Sequence, residues 1–178
     1  MNLTLRFFNY SKCFAHYTDR IMTIRQAKIR GEVIVAKPVL MLALIDGIDA
    51  GVFTNNHFVL NEWLEEHYLT LMYEYTRNSQ FNKPADISNP FWHLATDGFW
   101  HRRLKKEAEQ GVTPTKAWLK ENVTYAYFDD DLWVLLQNKE WRMRMRDYIV
   151  EHKLTDDHQF RWLSASGVAS LVAVLMVA

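Results

Sequence analysis

The 178-residue sequence contains one cysteine, four prolines and six glycines, and its formal net charge is zero. A single cysteine cannot form an internal disulfide, so the chain suits a reducing, cytoplasmic location, and a cysteine-based metal site is excluded. The zero net charge argues against a protein that coats polyanions without specificity, although it permits a local basic face. The N-terminus has neither a long apolar run nor a small-residue cleavage site, so we predict no signal peptide.

The motifs of common catalytic and metal sites are also missing. The sequence has no HExxH or His-Asn-His arrangement, no GxSxG and no phosphate-binding loop, and its histidines are scattered. The acidic run Asp129 to Asp131 precedes an apolar stretch, a position typical of a helix N-terminus rather than of a metal site. We therefore predict no catalytic residue, no metal and no cofactor. A nuclease with an active site outside these patterns is the remaining enzymatic hypothesis.

Apolar residues, by contrast, are abundant, at 49% of the chain with 14% aromatic, enough for one domain with a full core. Apolar spacing and capping residues predict a helix that begins at Tyr10 and ends by Gly31, and further helices over 36–50, 62–75, 115–121 and 129–152. Together with one hairpin, described next, they predict a compact, mainly α domain with a small β-hairpin or sheet, an α+β arrangement.

The stretch NPFWHLATDGFWH, Asn89 to His101, combines four large aromatic rings and two histidines around an Asp-Gly pair. We predict a β-hairpin here, with its turn at Asp97–Gly98. Strand alternation would then place Trp92 and Leu94 inside and leave three neighbours accessible, namely Pro90, Phe91 and His93. The alternative is that the aromatic residues, Trp92 and Trp100 above all, belong to the core.

Basic residues follow this stretch directly and recur at other element ends, while acids concentrate elsewhere. Such segregation allows a neutral chain to present a cationic face to a phosphate backbone. A merely solvated surface is the alternative for most of them individually. The predicted backbone-binding residues are Lys37, Arg77, His101, Arg102, Arg103, Lys105 and Lys106.

The segments AKPVLMLALIDGI and NPFWHLATDGFW together resemble the sulfur-binding domain of phosphorothioate-dependent, McrA-like type IV HNH restriction endonucleases. The resemblance extends from about residue 19 to residue 154. It implies a module that recognises double-stranded DNA in which sulfur replaces a non-bridging phosphate oxygen, in a restriction or defence context. It also implies a sulfur pocket made by Asn89, Pro90, Phe91 and His93, with Lys37 as the basic residue before the helix proline.

The physical chemistry of sulfur fits such a pocket. Sulfur is larger, softer and less strongly hydrated than oxygen, so a shallow apolar cup receives it at a small desolvation cost. The chain departs from the family pattern at two positions, with Asn89 where a tyrosine often stands and Ala36 where a histidine can stand. Each departure removes a pocket contact.

The sequence also gives expectations for the domain limits and for the partners. We expect the recognition domain to occupy residues 1–155. The apolar tail, residues 156–178, is slightly short for a membrane span, and a buried terminal element or a non-native tail is favoured over an anchor. No His-Asn-His nuclease motif follows the domain. Modified double-stranded DNA is the expected partner and a homodimer is compatible with the sequence, whereas a protein–protein adaptor using the aromatic hairpin is the alternative function.

Overall fold

The computed structural model describes residues 8–81, 83–108 and 113–154. The predictions for the N-terminal leader and for the tail 156–178 therefore lie outside the described residues. Within these three ranges the helices are α1 (Tyr10–Met22), α2 (Ala36–Asp49), α3 (Glu62–Thr76), α4 (Ser88–His93), α5 (Lys116–Asn122), α6 (Asp130–Gln137) and α7 (Lys139–Ile149). A 3-10 turn follows α4 (Leu94–Asp97), and a π-helical turn follows α7 (Val150–Leu154). None of these helices is long and apolar enough to cross a membrane.

In the part of the chain that the structure describes, four short strands form two antiparallel sheets. Strands β1 (Lys28–Ile29) and β2 (Glu32–Val33) pair with each other, and β3 (Trp100–Leu104) pairs with β4 (Val123–Phe128). This composition confirms the predicted mainly helical α+β class. Gly31 forms the tight turn between β1 and β2 at a left-handed φ of 91°. The first helix ends at Met22. Its end lies before Gly31, where the helix was predicted to end, because residues 28–33 form this strand pair instead.

Helix α2 lies at the centre of the core, as its uninterrupted apolar run predicts. Residues from Val39 to Ile45 have no exposed surface. The sequence AKPVLMLALIDG places Pro38 in the first turn, where the missing N–H has no intrahelical partner to lose. Asn61 caps α3, because its Oδ1 accepts a 2.9 Å bond from the backbone N–H of Leu64. These two predicted helices are confirmed.

The predicted hairpin over Asn89–His101 is wrong. Its first half is helical, namely α4 and the 3-10 turn, and only the second half is a strand, which pairs with β4. Phe91 and Leu94 are both fully buried and lie three residues apart, which is the spacing of one helix face rather than of a strand. Trp100 is fully buried, as one of the alternatives predicted, and its indole N–H donates to the carbonyl of Phe91 at 3.0 Å.

The predicted long helix over 129–152 is divided at Asn138. This residue has extended backbone angles, and its Oδ1 accepts bonds from the N–H groups of Glu140 and Trp141, so it caps α7. The break changes the phase of the helix. Met145 is consequently buried, and Met143 is 37% exposed.

Candidate nucleic-acid interface

The N-terminus of α2 meets the turn that follows α4. The ammonium of Lys37 lies 2.6 Å from Oδ2 of Asp97, and it also donates to the hydroxyl of Thr96 at 3.3 Å. The lysine side chain is 12% exposed and the aspartate side chain 3% exposed. Lys37 is thus an anchored cation at the rim of the core, rather than a free side chain reaching into solvent.

Asp97 is fixed by more than this ion pair. Its second carboxylate oxygen accepts the backbone N–H of Arg25 at 3.0 Å. The next residue, Gly98, has a left-handed φ of 82°, and its carbonyl accepts a 2.9 Å bond from the guanidinium of Arg20. The positive φ favours glycine at this position, and a Cβ there would lie 2.9 Å from the Arg20 guanidinium and displace it. The end of α1 and the segment that follows it therefore hold the turn that positions Lys37.

Helix α4 presents its predicted pocket residues unevenly. Asn89 is exposed, His93 is half-buried, and Pro90 and Phe91 are buried. The expectation that Pro90 and Phe91 face outward is therefore wrong, because it assumed strand alternation. The fully buried ring of Phe91 lies on the core side of α4 and packs edge-on against Trp100, with ring centroids 5.4 Å apart.

His93 lies between neighbouring positive charges. Its Nε2 is 2.7 Å from the hydroxyl of Thr113. Burial, followed by the charges of Lys37 and Arg102, lowers the pKa of the imidazole below its usual value. His93 is therefore mainly neutral near pH 7, and its imidazole takes part in hydrogen bonding rather than in ion pairing.

Arg102 joins this group from β3. Its guanidinium lies over the Trp92 ring, 3.4 Å from the ring centroid, and donates to the Trp92 carbonyl at 2.9 Å. Burial lowers the pKa of Arg102 to about 10, which still leaves the guanidinium charged at neutral pH. Trp92 is half-buried and provides the platform for this cation.

Three of the other predicted backbone-binding residues face away from this site or have other partners. His101 and Arg103 project from the opposite face of β3, and Nε2 of His101 is 2.6 Å from a carboxylate oxygen of Asp129. The ammonium of Lys105 donates to the carbonyl of Glu121 at 3.0 Å. The two remaining cations, Arg77 and Lys106, are exposed. The structure thus brings together Lys37, His93 and Arg102 out of the longer predicted set.

Sequence reasoning missed three residues that build this site, namely Asp97, Thr113 and Trp92 as a cation platform. Asp97 was interpreted as part of a hairpin turn, and its pairing with Lys37 spans 60 residues of sequence, so no local pattern could indicate it. Across the described residues, no group of three or more His, Cys, Asp or Glu side chains is arranged to hold a metal ion.

Comparison with known proteins shows that most of the chain matches one family. Residues 16–171 match the family described as ScoMcrA-like, DNA sulfur-binding domain. The chain belongs to this family. The resemblance inferred from the AKPVLMLALIDGI and NPFWHLATDGFW segments is therefore confirmed.

Two solved structures from the DNA sulfur-binding domain family share the fold of this chain. One is the sulfur binding domain of ScoMcrA complexed with phosphorothioated DNA, with a TM-score of 0.59 and 19% identity over 77% of this chain and 86% of that chain. The other contains the sulfur binding domain and SRA domain of ScoMcrA with phosphorothioated DNA, with a TM-score of 0.58 and 19% identity over 75% of this chain and 41% of that chain. A search of curated proteins gave no match.

Proposed function

We propose that this domain recognises double-stranded DNA that carries a phosphorothioate in its backbone. Membership of the DNA sulfur-binding domain family is the observation that carries the proposal. The same membership favours a DNA-recognition module over the protein–protein adaptor that the aromatic segment alone allowed. We further propose that the module belongs to a restriction or defence protein and acts in the cytoplasm.

The proposed sulfur site is centred on α4 and the N-terminus of α2. Asn89 and His93 supply the accessible polar edge, and Pro90 is buried in the same helix. A half-buried, neutral imidazole suits sulfur, because sulfur is weakly hydrated and loses little when it leaves water. An ordinary phosphate oxygen would lose more hydration at the same position, which provides a basis for discrimination.

The charge of the proposed site comes chiefly from Arg102. Lys37 is already compensated by Asp97, and the cationic form of His93 is disfavoured. Arg102 is held on Trp92 and remains charged, so it is the best placed cation for a backbone phosphate. The exposed Arg77 and Lys106 are proposed to add sequence-independent attraction that weakens as salt rises.

The test is a gel shift with two duplexes of one sequence, one of which carries a single phosphorothioate. The proposal predicts tighter binding of the modified duplex and weaker binding of both at higher salt. Equal affinity for the two duplexes would reject sulfur recognition, and a lack of binding to either would reject DNA binding.

Two single-residue variants test which side chains are responsible for binding and for the preference between the duplexes. His93→Ala is expected to reduce the preference for the modified duplex, and Arg102→Gln to reduce affinity for both. Arg144→Gln is the matched control, since Arg144 is 55% exposed on α7 and pairs with Glu140 of the same helix. A reduced preference in Arg144→Gln equal to that in His93→Ala would remove the site assignment.

A further inference from the structure

The outer face of the β3–β4 sheet carries aromatic and cationic side chains that the proposed sulfur site does not use. In the antiparallel register, His101 lies opposite Tyr127 and Arg103 lies opposite Tyr125. Residues that alternate with these, such as Trp100, Ala126 and Phe128, are fully buried. One side of the sheet therefore closes the core, and the other presents these four side chains outward.

The outward rings form a continuous row. The His57 ring stacks on Tyr125 with centroids 3.8 Å apart and an interplanar angle of 26°. The Tyr125 and Tyr127 centroids are 6.0 Å apart, and those of Tyr127 and His101 are 5.0 Å apart. His57 is held at the edge of the sheet because the next residue, Phe58, exchanges two backbone hydrogen bonds with Ala126.

Each ring in this row retains accessible surface. His57 is exposed, and the two tyrosines and His101 are half-buried. Aromatic side chains generally favour burial, so a row of four on the solvent side of a two-stranded sheet is an unusual surface. The Tyr125 and Tyr127 rings are at 60° to each other, so the row suits several flat groups that stack on separate rings. Unstacked nucleobases are such ligands, whereas the bases of a duplex are already stacked and offer only their edges in the grooves.

Charge on the same face agrees with a nucleic-acid strand. Arg103 is exposed beside Tyr125, and the strand leads directly to the exposed Lys105 and Lys106. Asp129 lies at the other end of the row, where it pairs with His101. The surface thus offers the Arg103 cation for a phosphate and rings for bases along β4, the combination found in single-strand binding sites.

We propose that this face, defined by His57, His101, Arg103, Tyr125 and Tyr127, binds single-stranded DNA, with bases stacked on the tyrosines and a phosphate on Arg103. The neighbouring Arg102 points to the opposite side of β3, onto Trp92. The single-strand face and the proposed sulfur site are consequently separate surfaces. The chain can thus contact an unpaired strand and a modified duplex through different residues.

Fluorescence anisotropy with a labelled 12-residue oligothymidylate at low salt tests this proposal with the full chain. The wild type is expected to bind, and a double variant, Tyr125→Ala with Tyr127→Ala, is expected to bind at least about tenfold more weakly, from the typical effect of removing a stacking ring. The corresponding double phenylalanine variant keeps the rings and is expected to bind like the wild type. Arg103→Gln is expected to weaken binding and to flatten its salt dependence.

The control is Tyr73→Ala, which removes a 66% exposed tyrosine from α3. A wild type that does not bind the oligonucleotide overturns the proposal. So does a double alanine variant that stays folded by circular dichroism and binds as tightly as the wild type, or a Tyr73→Ala variant weakened to the same degree. Loss of binding in the double phenylalanine variant would also overturn the stacking role.

The phosphorothioate duplex separates this proposal from the proposed function. The double alanine variant should keep the wild-type affinity for that duplex, and His93→Ala should keep the wild-type affinity for the oligonucleotide. If the double alanine variant loses both ligands in parallel while folded, the two surfaces are one site and the proposal is wrong. If the wild type binds oligothymidylate but does not distinguish the duplexes, the single-strand face stands and the sulfur proposal fails.

Discussion

Asp97→Asn tests whether the ion pair beneath the candidate site stabilises the fold. The pair joins Lys37 to Asp97 at 2.6 Å, with 12% and 3% of the two side chains exposed. Removal of one member of a buried pair leaves an uncompensated charge, which typically costs about 3–5 kcal/mol. Asparagine preserves the shape and can still accept the Arg25 N–H bond, so we expect a loss of about 3 kcal/mol, the lower end of that range.

Urea denaturation followed by tryptophan fluorescence measures this loss as a fall in the transition midpoint at unchanged slope. The control is Glu140→Gln in the Arg144–Glu140 pair, where both side chains are more than half exposed. Such a pair contributes less than about 0.5 kcal/mol. If Asp97→Asn costs no more than Glu140→Gln, the ion pair does not anchor the site, and Lys37 is effectively free.

Four further predictions follow from individual side chains. Phe91→Ala should lower the free energy of unfolding by about 3–5 kcal/mol, the usual cost for a buried phenylalanine, and a stable variant would contradict its core position. Burial, with a smaller effect from a nearby aspartate, raises the pKa of Cys13 to about 11. At pH 8 its reaction with Ellman's reagent should therefore be about tenfold slower than that of an unperturbed thiol and recover in urea, since the thiolate fraction falls about 100-fold while the nucleophilicity of the thiolate rises with its pKa. An NMR titration of His93 should give a pKa below 6.5, and this pKa should rise in Lys37→Met; an unshifted titration would contradict the burial and charge effects. Because the unfolded state binds the proton more tightly than the folded state, the contribution of His93 to the free energy of unfolding should be lost as the pH falls below about 6.5. Asn89→Tyr, which introduces the residue frequent in the family pattern, should increase the preference for phosphorothioate DNA in the gel shift, and an unchanged preference would remove Asn89 from the pocket.

The helices of the fold were predictable where local signals agreed. Helix α2 combines an early proline with an all-apolar run, and α3 combines an asparagine cap with acids in its first turn. Each of these features acts within a few residues of its own element. These local signals were therefore enough to predict where the two helices form.

The segment Asn89–His101 was not predictable, because two periods fit its apolar residues. Alternation from Phe91 to His93 suggested a strand, whereas the spacing from Phe91 to Leu94 fits one turn of helix, and the segment is too short to decide. The helix is favoured by tertiary packing of Phe91 and Leu94 into the core. This choice also changed which predicted pocket residues reach the surface.

The candidate site was predictable only in its components. Lys37, His93 and Arg102 were identified as site residues from sequence, and they converge on one surface. Their arrangement depends on Asp97 and Trp92, and the contact between Lys37 and Asp97 joins residues far apart in the chain. The division of the basic cluster between two faces of β3 likewise required the strand register, which pairs His101 and Arg103 with the tyrosines of β4.

The most direct test of the central claim is an NMR titration of the ¹⁵N-labelled chain with two duplexes that differ by a single sulfur atom. If α4 and the start of α2 read that sulfur, the amide shifts should differ between the two duplexes at residues 88–97 and at Ala36–Lys37, and should otherwise coincide. Identical shifts for both duplexes, or differences confined to other residues, would contradict sulfur recognition at this site.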